Sequence, residues 1–458
     1  LHSTSRRQRQ MCIRDRYTGA RAFVQANKGR YKCGGYIYTG EGQDLGQFWA
    51  ELNVGNAKVK KTTANESITK ANAMYSIAGA TFGIFSDQNC SNQIGTLTTN
   101  ENGETNEVEV TAGTVYIKEL SAPKGYKLDT TVHSLKVEAG KTAVLNVSDV
   151  PKVTETLVDL FKIDMETGKA TAQGNAALSG AEFTWHYYDG FYTKDNLPEK
   201  ATRTWVTKTV AEKSSDGSIH YVTKLSDAYK VSGDAFYIQN EKSVLPLGTL
   251  TVEETKAPDG YLLDGAYMQA GDSTEQIKGM YLTQITEDGE LAVLSGSNQY
   301  SVSDQVIRGG VKIQKRDLET KDTKAQGSAT LKDTAFAIIS LNENSVLVEG
   351  KLYKKNETVK TIQTGIDGIA TTTADLLPYG KYKLEETKAP EGYSINETNA
   401  DVTWDKDGEG LNAETRTGAA AMTDTKLNTL PSTGGIGTTI FTIGGCAIMI
   451  VAAGLFFA

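Results

Sequence analysis

The sequence predicts an all-β chain: tandem β-sandwich domains followed by a C-terminal transmembrane helix. Three observations carry this expectation. Short runs alternate polar and apolar residues at period two, as in Glu107–Leu120, Gly309–Asp317 and Gly380–Thr387. Such alternation, bounded by Gly and Asn, marks half-buried strands. One set of motifs recurs three times. Only the last 23 residues, Ile436 to Ala458, form an uncharged apolar run, about the length that crosses a bilayer.

Taken in chain order, residues 1–16 hold five Arg against one acid. This string reads as a non-native segment; the rival is a basic nucleic-acid arm. The chain starts at Leu1 with no apolar signal peptide. The formal net charge is −8, and −12 without the first 16 residues. That balance argues against nucleic-acid binding and suits a soluble extracellular surface. Residues 17–56 fall outside the repeat and read as the remnant of an upstream domain. Of four Cys, Cys12 lies in the doubtful segment and Cys446 in the apolar run, leaving Cys33 and Cys90 as a possible pair. The four His (His2, His133, His186, His220) show no metal-ligand spacing. No metal, no cofactor and no catalytic Ser/His/Asp set is expected.

The repeat units are expected at 57–151, 155–307 and 309–427. Each contains a Glu followed by Ala-Pro-x-Gly-Tyr: Lys118–Leu128, Glu253–Leu263 and Glu385–Ile395. Pro at the second and Gly at the fourth turn position suggest a type I turn. Upstream, Ser76–Ile84, Ala177–Trp185 and Thr330–Ile338 match one another. Counting back 18 residues from Gly79, Gly180 and Asp333 reaches Lys61, Lys162 and Lys315. The sets Ala57/Val59/Lys61, Val158/Leu160/Lys162 and Val311/Ile313/Lys315 each share one strand face. A Lys thus sits on an apolar face three times over. Each unit closes on a strand with an Asp: Asp149, Asp304 and Asp424.

The order Lys, then Glu, then Asp resembles the Cna-B (SpaA-type) domains of Gram-positive pilins and adhesins, with Ig-like sandwiches. The resemblance implies an intramolecular isopeptide bond in each unit. Lys61, Lys162 and Lys315 would bond to Asp149, Asp304 and Asp424. Glu119, Glu254 and Glu386 would be catalytic. Asn is common at the acceptor position in that family, and Asn146 is the alternative in the first unit. The chemistry is self-consistent. Desolvation lowers the pKa of a buried amine and raises that of nearby carboxyls, giving a neutral nucleophile beside protonated acids. The loops closed, 61 to 149, 162 to 304 and 315 to 424, would each stabilise by on the order of 4–5 kcal/mol, by analogy with disulfides.

The second unit is enlarged. Trp185 to Tyr237 holds ten aromatic residues. Extra strands packing a small core of their own is the expectation, with a glycan or peptide site as the rival.

Leu430-Pro431-Ser432-Thr433-Gly434 precedes the apolar run, within the 430–435 signal. Pro431 biases Leu430 toward an extended backbone. The motif resembles the LPxTG sorting signal. Sortase would cut between Thr433 and Gly434 and pass Thr433 to a cell-wall amine. The run at 436–458 would hold the chain in the membrane until then. It lacks the basic residues that end this pattern, so it reads as truncated. The function implied is a cell-wall-anchored surface protein, a pilin subunit or adhesin stalk, and not an enzyme beyond one self-directed turnover. The partners implied are sortase, then peptidoglycan or a neighbouring pilin, and a host or cell-surface ligand. The alternative is the stalk of a wall-anchored enzyme.

Overall fold

A computed structural model describes residues 31–38, 44–155, 158–270, 276–286, 299–398, 400–403 and 417–424. The regular structure of the described chain is almost entirely β-strand. The LPxTG motif and the apolar run lie outside the described residues. Among those described, no helix is long and apolar enough to cross a membrane.

Strands Tyr31–Tyr38 and Asp44–Leu52 pair only with each other. The rest stack as three sandwiches. In the first, Val54–Thr63 lies between Val108–Thr111 and Thr142–Asp149. The facing sheet runs Gln93–Thr98, Thr81–Phe85, Gly113–Ser121, Val132–Val137. In the second sandwich, Asp159–Asp164 lies beside Gln299–Val306, opposite a sheet holding Glu182–Tyr188 and Gly248–Lys256. In the third, Arg308–Asp317 lies beside Thr417–Asp424, opposite Ala335–Ser340 and Lys381–Lys388.

One topological feature positions the site. In every sandwich the first and last strands pair in parallel, although almost every other pairing is antiparallel. The register is the same each time. Lys61 faces Val147, Lys162 faces Val302, and Lys315 faces Met422. The Asp lies two residues further on, opposite Thr63, Asp164 and Asp317 respectively. Side chains alternate faces along a strand, so an Asp at this register lies on the same face as the Lys.

The Ala-Pro-x-Gly-Tyr turn differs from the type I expectation. The turn hydrogen bond runs from the Tyr N–H to the Pro carbonyl, at 3.2, 3.1 and 3.2 Å for Tyr126, Tyr261 and Tyr393. Pro is therefore the first residue and Gly the third. Gly125, Gly260 and Gly392 have φ of 83°, 88° and 87°. Positive φ at the third position is the type II signature and favours Gly.

The aromatic surplus of the second unit does not build a separate core. Trp185, Tyr187 and Trp205 are fully buried in the cluster that also holds Leu160, Val252 and Val302 of the sandwich itself. Strand Arg203–Lys208 takes the place that Gln93–Thr98 holds in the first sandwich, and Lys230–Gly233 pairs outside it as a fifth strand, so the insertion widens an existing sheet. The same cluster extends to Ile68, Tyr75 and Tyr126 of the first sandwich. Tyr75 Oη donates to Lys152 O at 2.6 Å and accepts from Leu247 N at 2.9 Å, tying the two together.

Candidate functional site

In the first two sandwiches a lysine amine lies between two carboxylates, and in the third it meets a Glu. Lys61 is fully buried, and Glu119 and Asp149 are nearly so. Lys61 Nζ lies 2.5 Å from Glu119 Oε1 and 2.5 Å from Asp149 Oδ2. Lys162 Nζ lies 2.6 Å from Glu254 Oε2 and 2.6 Å from Asp304 Oδ1. Lys315 Nζ lies 2.5 Å from Glu386 Oε2. The Asp424 side chain lies outside the described residues, but its backbone sits at the register of Asp149 and Asp304. The sorting residues Leu430, Pro431, Ser432, Thr433 and Gly434 also lie outside the described residues.

The two contacts of each lysine differ in kind. The amine donates a hydrogen bond to the Glu. Neither carboxylate oxygen of Asp149 or Asp304 accepts a hydrogen bond of regular geometry, despite the close approach. The amine is thus held by the Glu and pressed against the Asp.

The same neighbours surround each pair. In the facing sheet, Glu119 pairs with Phe82, Glu254 with Phe183 and Glu386 with Phe336. A register shift sits immediately before each Phe. The Phe rings lie 4.9, 5.9 and 5.5 Å from Nζ of Lys61, Lys162 and Lys315. A ring face both desolvates the amine and attracts its charged form. The sequence motif held these rings in plain view, three residues after Gly79 and Gly180 and after Asp333. Those three residues have φ of 85°, 86° and 60°. The Asp333 copy therefore keeps the left-handed turn without Gly, as Asp can.

Burial decides the protonation. Desolvation pushes the Glu119, Asp149 and Asp304 carboxyls up, against the pull of the lysines. Burial pushes Glu254 up to about 8. At neutral pH the dominant form of Glu254 is therefore the neutral acid, an acid that can donate a proton.

Two residues near the site went unread in the sequence. Asp164 and Asp317 lie two residues past Lys162 and Lys315 and are fully buried. Tyr261 Oη donates to Asp164 at 2.9 Å, and Tyr393 Oη donates to Asp317 at 2.8 Å. Gln173 and Gln326, each eleven residues past the lysine, donate to the same carboxylates at 3.1 and 2.9 Å. The turn after the Glu is thereby tied to the lysine strand. The spacing Lys-x-Asp-x-x-Thr, present at both Lys162 and Lys315, was the available signal. Thr63 replaces the Asp in the first unit.

Asn146, the alternative acceptor, is excluded by register. It pairs with Lys60, is exposed, and faces away from Lys61. Cys90 is a free thiol, and the side chain of Cys33 lies outside the described residues.

Residues 56–151 and 312–418 match the SpaA family, described as a prealbumin-like fold domain. Residues 423–458 match the LPXTG cell wall anchor motif. The chain carries SpaA-type domains and an LPXTG anchor. It is a secreted, cell-wall-anchored surface protein of the Gram-positive type. The sandwich between the two SpaA matches carries the same Lys–Glu–Asp geometry. The trypsin-resistant surface T6 protein of Streptococcus pyogenes is 30% identical over 151 residues, 31% of this chain and 25% of that protein. The chain thus matches about a quarter of that relative's length. Among solved structures, the Bacillus anthracis TIE protein aligns at TM-score 0.46 and 22% identity, covering 87% of this chain and 58% of the other. BcpA, the major pilin subunit of Bacillus cereus, aligns at TM-score 0.30 and 16% identity, covering 82% of this chain and 100% of the other.

Proposed function

We propose that the chain is a pilin-like stalk whose sandwiches each close a Lys–Asp isopeptide bond and whose Thr433 is joined by a sortase to a cell-wall or pilin amine. The observation that carries the cross-link is the pressed contact of Lys61 and Lys162 against Asp149 and Asp304 in a dry interior. A buried ion pair of this kind is poorly compensated when it stays ionic. Forming an amide removes both charges.

A proton passes from the Lys162 ammonium to the Asp304 carboxylate, and the freed Nζ attacks Cγ, with Glu254 hydrogen-bonding the carboxyl and polarising it. The Nζ–Cγ bond forms and the Cγ–OH bond breaks. The departing hydroxyl takes the Glu254 proton and leaves as water. Glu254 recovers a proton from the new amide nitrogen. Glu119 plays this part for Lys61 and Asp149, and Glu386 for Lys315 and Asp424. Proximity supplies the entropic share of the barrier, because both reactants are fixed on paired strands. There is no turnover, so the protein is structural and not an enzyme.

Anchoring rests on the LPXTG match at 423–458. A wall amine or a neighbouring subunit would accept the Thr433 acyl group.

Intact mass tests the cross-links. The chain should fall short of its sequence mass by three waters. Glu119→Ala, Glu254→Ala and Glu386→Ala should each restore one. A mass equal to the unmodified sequence would leave only buried polar clusters.

A further inference from the structure

A cavity of about 210 Å³ opens beside the second cluster, and the cross-linking chemistry described so far makes no use of it. Its walls are Glu254, Leu263, Ala266, Met268, Lys278 and Val302, with Gly279 at the edge. Val302 is the ladder partner of Lys162, and Asp304 lies two residues beyond it. The cavity therefore abuts the reacting groups.

Glu254 is the link. Its side chain is 2% exposed. One oxygen holds Lys162, while the other, Oε1, is buried with no partner in the protein. Leaving such an oxygen unsatisfied in a dry interior is unfavourable. The other sandwiches bring a backbone amide to their Glu. Asp129 N donates to Glu119 Oε2 at 2.8 Å, and Asn396 N donates to Glu386 Oε2 at 3.2 Å. Both amides lie ten residues past the Glu. In the second sandwich the corresponding strand, Tyr261–Ala270, shifts register against the last strand between Leu262 and Tyr267. The cavity occupies the gap beside that shift.

We propose that this cavity is a water site and exit port for the second cross-link, with Glu254 Oε1 as its anchoring group. The proposal rests on the reading that Lys162 and Asp304 condense. Its ligand is water. The volume has room for several molecules at ~30 Å³ each. Glu254 at the inner end and Lys278 at the wall supply polar partners. Lys162 and Asp304 are almost completely buried, so the water they release needs a path out. The hydroxyl of Asp304 leaves carrying the Glu254 proton. The resulting water passes into the cavity and hydrogen-bonds Oε1 on the way to bulk. The first and third sandwiches, whose Glu is held by a backbone amide, release their water by another route.

Opposing substitutions in one chain test this. Ala266→Phe fills the cavity, Ala266→Leu fills it in part, and Leu263→Ala enlarges it. Leu263 is 42% exposed, so its truncation spares the core. The full chain is synthesised in a cell-free system and quenched in denaturant at intervals. Mass spectrometry then follows the linked peptides of each sandwich, with the first and third as internal clocks. Ala266→Phe should slow the second bond several-fold, Ala266→Leu should slow it less, and Leu263→Ala should not slow it. The other two bonds should keep their rates. A second bond that forms at the wild-type rate in the filled variants, with melting showing a folded domain, overturns the port alone. A wild-type chain with no bond in any sandwich overturns the cross-linking reading and the port together.

Discussion

At the residue scale, the lysines and glutamates are the centre of the argument, and their environment makes them unusual. Lys61, Lys162 and Lys315 rank among the largest fully buried side chains, beside Trp and Phe. A lysine is almost never found there unless paired. The glutamate raised by burial sets a pH dependence. Glu254 is neutral below about 8 and ionised above it. The reactive state needs its proton, so the rate of second-bond formation should fall above pH 8, by ~10-fold per unit at the limit. Following the Lys162–Asp304 peptide at pH 6, 7, 8 and 9 checks this; a rate still rising at pH 9 would assign the proton elsewhere. A carboxyl whose folded pKa is raised stabilises the unlinked fold below its unfolded value, and that contribution is lost as pH rises through the folded value. In Asp304→Ala, where no second bond forms, burial still raises Glu254, so the second domain should weaken as pH rises above the ordinary glutamate range. Phe183→Leu removes the ring face and trims a fully buried side chain, at a cost of about 1–3 kcal/mol. Slower formation of the second bond in a domain that melts lower but still folds is the expected result.

At the element scale, strand pairing and turns decide what meets. The parallel pairing of first and last strands brings residues some hundred positions apart into one cluster. The type II turn at Gly125 is equally demanding. A Cβ there would sit 2.6 Å from Met74 O, at a φ of 83°. Gly125→Ala should cost the first domain at least ~1–2 kcal/mol through backbone strain, read by chemical denaturation. The joint between the second and third sandwiches adds polar ties to an apolar cluster that holds Leu178, Tyr261 and Val306 together with Val346 and Tyr379. Arg308 Nε reaches Glu166 Oε1 at 2.7 Å, and Arg308 Nη2 reaches Leu347 O at 2.8 Å. Gln173 Oε1 accepts from Leu347 N at 2.8 Å. Both Arg308 and Glu166 are largely shielded, and burial is outweighed at Glu166, whose carboxyl is held below its ordinary range by Arg308, Gln173 and Gln305. Arg308→Gln should loosen this joint by about 1–3 kcal/mol, as for hydrogen bonds to charged groups. Protease sensitivity near Ile307 should rise while the melting of each sandwich holds. Unchanged cleavage there would show that apolar contacts alone hold the joint.

At the scale of the whole molecule, a chain with one free thiol among its described residues takes its extra stability from elsewhere. The proposed bonds join first to last strands, so a pulling load would pass along them and leave the sandwiches folded. The triple variant Glu119→Ala, Glu254→Ala, Glu386→Ala should lose on the order of 4–5 kcal/mol per domain. It should also gain trypsin sensitivity, because unlinked domains open locally. Anchoring is tested separately. Incubation with a sortase and a glycine-based amine should yield a product ending at Thr433. Thr433→Ala should give none, and an unmodified terminus with sortases of several classes would reject the anchor reading.

The sequence alone determined the strand content, the threefold unit, the buried face of each lysine and the pairing of Lys with Glu. Those follow from short-range rules, because period two places residues on faces and repeated spacing marks equivalent positions. It read the anchor motif for the same reason, since a linear signal needs no fold. Tertiary structure decided the rest. Only strand register shows that Asn146 faces outward while Asp149 faces Lys61. Only cross-sheet pairing sets Phe82, Phe183 and Phe336 against the amines. The aromatic insertion merged with the main core, because a sheet edge adjacent to an apolar interior is a better partner than a detached cluster. The cavity beside Glu254 lies next to a register shift between Leu262 and Tyr267, which only the pairing with the last strand defines. Such features depend on contacts between distant segments, and their geometry is settled only when the sheets close.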